Sequence, residues 1–288
     1  MPDYTVADFK SEVKPTWCPG CGDYAVLNGM MHALSTLKLD PWRVTIVSGI
    51  GCSSNLPHFL TTYGVHGIHG RVLPIATGLR LANPEMTVIG VGGDGDGYGI
   101  GVGHFIHAMR RNLDITYVVM DNQIYGLTTG QASPTSEMEM KTKSTPEGVI
   151  ENPVNPIALA LGAGATFVAR GFSGDAKLLG ELFAQAIKHK GFSLVDVFSP
   201  CVTYNHYNTY DYFRPKVYNL QAENHDVHDI NAAWRKAMEW GERIPIGIFH
   251  VAEGVPTYED LEPAFRQGPP LKQKLGVPDP SELIEEAL

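Results

Sequence analysis

Thr87-Val88-Ile89-Gly90-Val91-Gly92 runs directly into Gly93-Asp94-Gly95-Asp96. A short β-branched run closed by a Gly/Asp loop reads as a strand buried on both faces. Downstream, Phe105 to Arg111 has helical spacing, and Ile115 to Met120 is a second apolar strand ending at Asp121-Asn122. Strand, loop, helix, strand is a βαβ unit, and such units build parallel sheets. Working outward, Arg43 to Ser48 reads as a strand that turns at Gly49-Ile50-Gly51-Cys52. Tyr24 to Leu37 reads as a helix with Val26, Leu27, Met30, Met31 and Leu34 as its apolar stripe, and residues 72–82 as a helix stopped by Asn83-Pro84. Beyond a Thr/Ser/Gly/Pro-rich stretch over 126–150 come a helix (156–161), a strand (166–169), a helix (176–188) and a strand (194–198). A further helix (230–240) and strand (244–250) follow. The expected fold is α/β, a doubly wound parallel sheet, with residues 1–215 as the ligand-binding domain and 216–288 as a C-terminal extension at a subunit interface.

The 288 residues carry a net charge of −9. That charge argues against nucleic acid, which needs a basic footprint. The start of the chain lacks the features of a secretory signal, and no run approaches the roughly 18 apolar residues of a membrane helix. A cytoplasmic protein is therefore expected, with reduced cysteines.

In a parallel sheet, ligands sit at the carboxyl ends of the strands. Gly93 and Asp94 lie at one such end and Asp121 and Asn122 at the next, so both loops converge on one crevice. A carboxylate and an amide oxygen suit Mg²⁺, which keeps waters and substrate phosphates as its other ligands. Glycines let the backbone approach a phosphate, and the following helix can present its N-terminus to it. The bland alternative is a solvated turn; the pairing with Asn122 favours the Mg-diphosphate site. The four cysteines are Cys18, Cys21, Cys52 and Cys201. A C-x₂-C pair plus two distant cysteines fits either Zn²⁺ or an iron–sulfur cluster. Residues alone leave both open, and with zinc the chain would be a stapled nucleotide-binding module without redox activity. The long 126–150 connection reads as a lid or binding loop. His104 and His107 lack a third metal ligand.

Gly93-Asp94-Gly95 followed by Asn122 resembles the thiamine diphosphate signature. Ser48-Gly49-Ile50-Gly51-Cys52-Ser53-Ser54, Ile68-His69-Gly70-Arg71 and Asp121-Asn122-Gln123-Ile124-Tyr125-Gly126-Leu127-Thr128 are similar to the beta subunits of 2-oxoacid:ferredoxin oxidoreductases. The resemblance covers about Cys18 to Cys201. It implies a diphosphate-domain fold, with Mg²⁺ on Asp94, Asn122 and the carbonyl of Ile124. It implies a [4Fe-4S] cluster on Cys18, Cys21, Cys52 and Cys201. Ile50, Gly51, Cys52, Ser53, His69, Gly93, Gly95, Asp96, Gly126 and Leu127 would line the cofactor. His69 would lie beside it, and Asn55 stands where relatives carry a basic residue near the substrate. The implied reaction converts a 2-oxoacid and coenzyme A to acyl-CoA and CO₂, with electrons passing to ferredoxin or the flux reversed for CO₂ fixation. The wording at Asn122 and at Gly126-Leu127 resembles the 2-oxoglutarate and broad 2-oxoacid branch of the family; 2-oxoglutarate is the expected substrate, with pyruvate or a broad 2-oxoacid range as the alternative. The chain has no second α/β unit to supply the glutamate that activates the cofactor. An alpha, or fused gamma-alpha, partner is expected to bring it, in an (alpha-beta)₂ assembly.

Overall fold

The computed structural model describes residues 3–273 and 280–287; of the two expected regions, residues 1, 2, 274–279 and 288 lie outside the described residues. In chain order the main elements are α1 (Asp23–Thr36), β1 (Val44–Ser48), β2 (Tyr63–His66), α2 (Val72–Ala82), β3 (Thr87–Gly93), α3 (Val102–Arg110), β4 (Thr116–Asp121) and α4 (Pro156–Gly162). They continue with β5 (Phe167–Phe172), α5 (Ala176–Lys188), β6 (Ser193–Phe198), α6 (Tyr210–Phe213), β7 (Val217–Asn219), α7 (Ile230–Ala237) and β8 (Ile244–Val251).

The strands form one sheet in the order β2-β1-β3-β4-β6-β5-β8-β7. From β2 to β5 every pairing is parallel, with Ile89 opposite Thr116 and Asp121 opposite Phe198. β8 runs antiparallel to β5, and β7 parallel to β8. Residues of the expected C-terminal extension therefore continue the same sheet. Strands β1, β4, β5 and β6 are buried along their whole length, as a sheet covered on both faces requires.

One face packs under α1 and α5, and the other under α2, α3, α4 and α7. The apolar stripe of α1 is buried as the spacing requires. A Cβ on Gly29 would stand 3.1 Å from Leu179 Cβ and Phe183 Cε2, so a side chain there would hold α1 away from α5. The Asp175 carboxylate accepts from Leu178 N at 3.0 Å and starts α5; Asn155 accepts from Ala158 N at 3.1 Å and starts α4.

The structure adds short elements that the sequence reading did not name, α6 and β7 among them, and differs from it in three further places. β2 was not expected: Tyr63, Gly64 and His66 are exposed, so no inward periodicity marks this edge strand. β5 runs on past Ala169 through Arg170, a charged residue tolerated in a buried strand because Asp196 Oδ2 accepts from its Nε at 3.1 Å. The helical winding after β3 begins at Gly95, well ahead of Phe105: Gly95–Ile100 is one wide turn, kinked at Gly99, that leads into α3.

Candidate functional site

The carboxyl ends of β1, β3 and β4 open into one crevice. It is lined by Ile50, Gly51, Cys52 and Ser53 after β1, His69 after β2, Gly93 to Asp96 after β3, and Asn122 and Ile124 to Thr128 after β4. Asp23 and Met120 complete it. Every residue expected around the cofactor is brought together here. Asn55 is not: it sits in the turn Cys52–Phe59, and its amide donates back to the Cys52 carbonyl at 3.4 Å.

Asp94 is 2 % exposed, and no Lys or Arg bonds it among the described residues. Burial pushes its carboxyl up to about 6. Thr135 Oγ1 lies 2.7 Å from Asp94 Oδ2 and 2.8 Å from Asp121 Oδ1. A hydroxyl donates only one proton, so when both contacts form the second carboxyl must carry a proton itself. Asp121 is driven well above its ordinary value, by burial first and then by Asp196 and Asp94. Thr135 belongs to the long connection expected to serve as a lid or binding loop. The β4 loop is held by its own bonds: Asn122 Oδ1 accepts from Ile124 N at 3.1 Å, and the Asn122 carbonyl accepts from Asn205 Nδ2 at 2.9 Å. Gln123 between them adopts φ 57°, an uncommon backbone for a side-chain-bearing residue. A Cβ on Gly95 would overlap the Tyr125 ring, so glycine is required where the β3 loop meets this turn.

A Mg-diphosphate fits these residues. The cation would relieve the uncompensated burial of Asp94. Ser53 Oγ, buried at the crevice wall and without a hydrogen-bond partner, is a free donor for a phosphate oxygen. Among the described residues no three His, Cys, Asp or Glu side chains form a metal-holding group. The Asp94, Asn122 and Ile124-carbonyl set contains only one such side chain, so this finding does not bear on it.

The cysteines gather beside the crevice. The knuckle is formed by Cys21 N donating to the Cys18 carbonyl at 3.0 Å, and it docks on the end of β6 through Gly22 N donating to the Pro200 carbonyl at 3.2 Å. A Cβ on Gly22 would overlap Ser199. Trp17 Nε1 donates to the Cys52 carbonyl at 2.7 Å and fastens the preceding segment. Burial pushes the Cys21 thiol far up and the Cys52 thiol to about 12. Asp23 adds to both rises, with smaller contributions from Cys201 and Cys52 at Cys21, and from Cys201 and Cys18 at Cys52. All four thiols thus share one neighbourhood, although they do not close into a ligand group. A bound cation would offset the same penalties, so a thiolate-ligated cluster fits the donor set.

Asp23 and Thr135 were missed by the sequence reading. Asp23 is 1 % exposed and burial raises it to about 6; Ser199 Oγ donates to its Oδ1 at 2.7 Å, and Oδ2 has no oxygen or nitrogen partner. In sequence it is merely an acidic residue opening a helix, and its partner is 176 positions away.

Two family models match: the thiamine pyrophosphate enzyme C-terminal TPP-binding domain over residues 49–197, and the C-terminal model of the pyruvate ferredoxin oxidoreductase beta subunit over 201–267. A Saccharolobus solfataricus protein, 2-oxoacid:ferredoxin oxidoreductase subunit beta, is 48 % identical over 270 residues, which cover 88 % of each chain. This chain belongs to the 2-oxoacid:ferredoxin oxidoreductase beta subunits. As such a beta subunit it is part of an oxidoreductase. The Mycobacterium tuberculosis 2-oxoglutarate oxidoreductase subunit KorB is 50 % identical over 198 residues, 69 % of this chain and 53 % of that one. A solved structure of 2-oxoglutarate:ferredoxin oxidoreductase from Magnetococcus marinus, with 2-oxoglutarate, coenzyme A and succinyl-CoA bound, superposes at TM-score 0.91 with 42 % identity, covering 100 % of this chain and 97 % of that one. The thiamine diphosphate-type fold of this beta subunit is thereby established. Among the described residues no helix is long and apolar enough to cross a membrane.

Proposed function

We propose that this chain carries the thiamine diphosphate, Mg²⁺ and [4Fe-4S] cluster of a 2-oxoacid:ferredoxin oxidoreductase acting on 2-oxoglutarate. The reaction takes a 2-oxoacid anion and coenzyme A to acyl-CoA, CO₂ and a proton, and passes two electrons to ferredoxin; reversal would fix CO₂. The observation that carries this reading is the shared wall between the two candidate sites. A Cβ on Gly126 would lie 3.4 Å from Cys201 Sγ, 3.8 Å from Cys52 Sγ and 3.7 Å from Asn122 Nδ2. A structural zinc has no need to adjoin a Mg-diphosphate crevice; a one-electron acceptor does.

When bound, thiamine diphosphate supplies the carbanion that attacks the keto carbon, and the cluster accepts electrons singly. This chain's own residues hold and orient. Asp94, Asn122 and the Ile124 carbonyl would bind Mg²⁺, Ser53 and the Gly93–Gly95 backbone would meet the diphosphate, and His69 would stand beside the ring. Cys18, Cys21, Cys52 and Cys201 would hold the cluster. The partner brings the activating glutamate, so the chain alone should be inactive. Support for 2-oxoglutarate comes from the KorB relatives and the Magnetococcus marinus enzyme.

Anaerobic purification with the alpha partner, followed by iron, sulfide and zinc analysis and a panel of 2-oxoacids with coenzyme A, tests the reading. About four irons and four sulfides on the four cysteines, with 2-oxoglutarate turned over faster than pyruvate, are expected. One zinc and no iron would overturn the redox reading, and preference for pyruvate would overturn the substrate.

A further inference from the structure

Asp96 lies at the crevice, yet the contacts of its carboxylate are to the protein. Oδ1 accepts from Ile50 N at 3.0 Å and Gly70 N at 2.8 Å, and it lies 2.8 Å from His69 Nδ1. The group is 2 % exposed. Oδ2 has no partner and faces Gly49 and Gly92; a Cβ on Gly49 would overlap the carboxylate. Glycine at 49 is what admits an acid to this spot. An oxygen already accepting two main-chain N–H groups offers His69 an acceptor, so His69 must donate from Nδ1. In a neutral imidazole this leaves Nε2 as the bare nitrogen. Nε2 makes no hydrogen bond among the described residues, and the ring, 38 % exposed, lines the crevice beside Tyr125.

We infer that Asp96 is a positioning residue: by accepting the Nδ1–H of His69 it fixes the tautomer that turns the Nε2 lone pair toward the bound cofactor. The inference rests on the proposed cofactor site. It gives Asp96 a task distinct from that of Asp94, two residues earlier: one acid is held for a cation, the other for a histidine. Carboxylates that orient a ligating histidine ring typically contribute ten- to hundredfold in function, and the same scale is expected here.

The test has two parts. In the chain labelled with ¹⁵N-histidine, free of cofactor, His69 is assigned by the resonances lost in His69→Gln; a protonated Nδ1 and a bare Nε2 are expected. In the complex with the alpha partner, Asp96→Asn retains an oxygen for the Ile50 and Gly70 amides but offers the His69 Nδ1–H a neutral amide acceptor in place of a carboxylate, which weakens the hold on the tautomer. It should lower kcat for 2-oxoacid-dependent dye reduction about tenfold to a hundredfold and cost nothing further in a His69→Gln background. An Nε2–H tautomer in the unmodified chain overturns the inference, as does an unchanged kcat. So does an equal loss with and without His69, the mark of a purely structural role. Failure of the unmodified complex to bind thiamine diphosphate would instead overturn the cofactor reading, while the tautomer is read without the cofactor.

Discussion

Two buried acidic clusters lie at opposite ends of the sheet and are completed in opposite ways. At the amino ends of the strands, Arg80 donates to Glu259 Oε1 at 2.6 Å, to Asp114 Oδ2 at 2.5 Å and to the Met86 carbonyl at 2.9 Å, with Lys190 3.5 Å from Asp114. Lys190 also stands 3.9 Å from Asp260, so two cations meet three carboxylates and the countercharge comes from within the chain. At the carboxyl ends, Asp94 and Asp121 share only the hydroxyl of Thr135. The first cluster is finished by folding. In the second, Arg170 acts on Asp121 but no cation acts on Asp94, and a ligand has to bring one.

The comparison is broken most directly at Arg80. Arg80→Met leaves the buried Glu259 without its cation and Asp114 with only the exposed Lys190, and should cost about 3–5 kcal/mol, seen as a large drop in thermal midpoint. Asp94→Asn should act the other way. It removes a carboxyl that folding raises from 3.8 to about 6, so the cofactor-free chain gains about 3 kcal/mol at pH 7.5 while Mg²⁺-dependent thiamine diphosphate binding is lost. A destabilised Asp94→Asn chain would show that both clusters are structural.

The pH dependence sharpens the contrast. A carboxyl whose folded value is raised contributes its stability below the unfolded value and loses it as pH climbs through the folded one. The stability gap between Asp94→Asn and the unmodified chain should therefore widen by about 2 kcal/mol from pH 4 to about 6.5 and then level off. Urea unfolding across that range measures it, and Mg²⁺ with thiamine diphosphate should close the gap. The smallest effect belongs to Lys190, 57 % exposed at the rim of the Arg80 cluster: Lys190→Ala should cost less than about 0.5 kcal/mol by the same measurement.

The helices and central strands were legible because their cues are local. The stripe of α1 and the apolar runs of β3 and β4 announce themselves within a dozen residues. The site was legible to the extent that its residues follow strand ends, as Asp94, Asn122, Cys52 and Cys201 do. What escaped was set by tertiary contact. β2 is exposed and was registered only by pairing with β1. Thr135 reaches both acids from a loop without periodicity, and Asp23 meets Ser199 across the chain. Asp96 was read with the crevice, but its attachment to His69 depends on a kinked turn that glycines permit and no spacing announces.

That attachment has a consequence for motion. One carboxylate oxygen ties the loops after β1, β2 and β3, so the three cannot loosen independently. They form one local unfolding unit. The amides of Ile50 and Gly70, 20 residues apart in sequence, should exchange with solvent at a common rate and with a common free energy of opening.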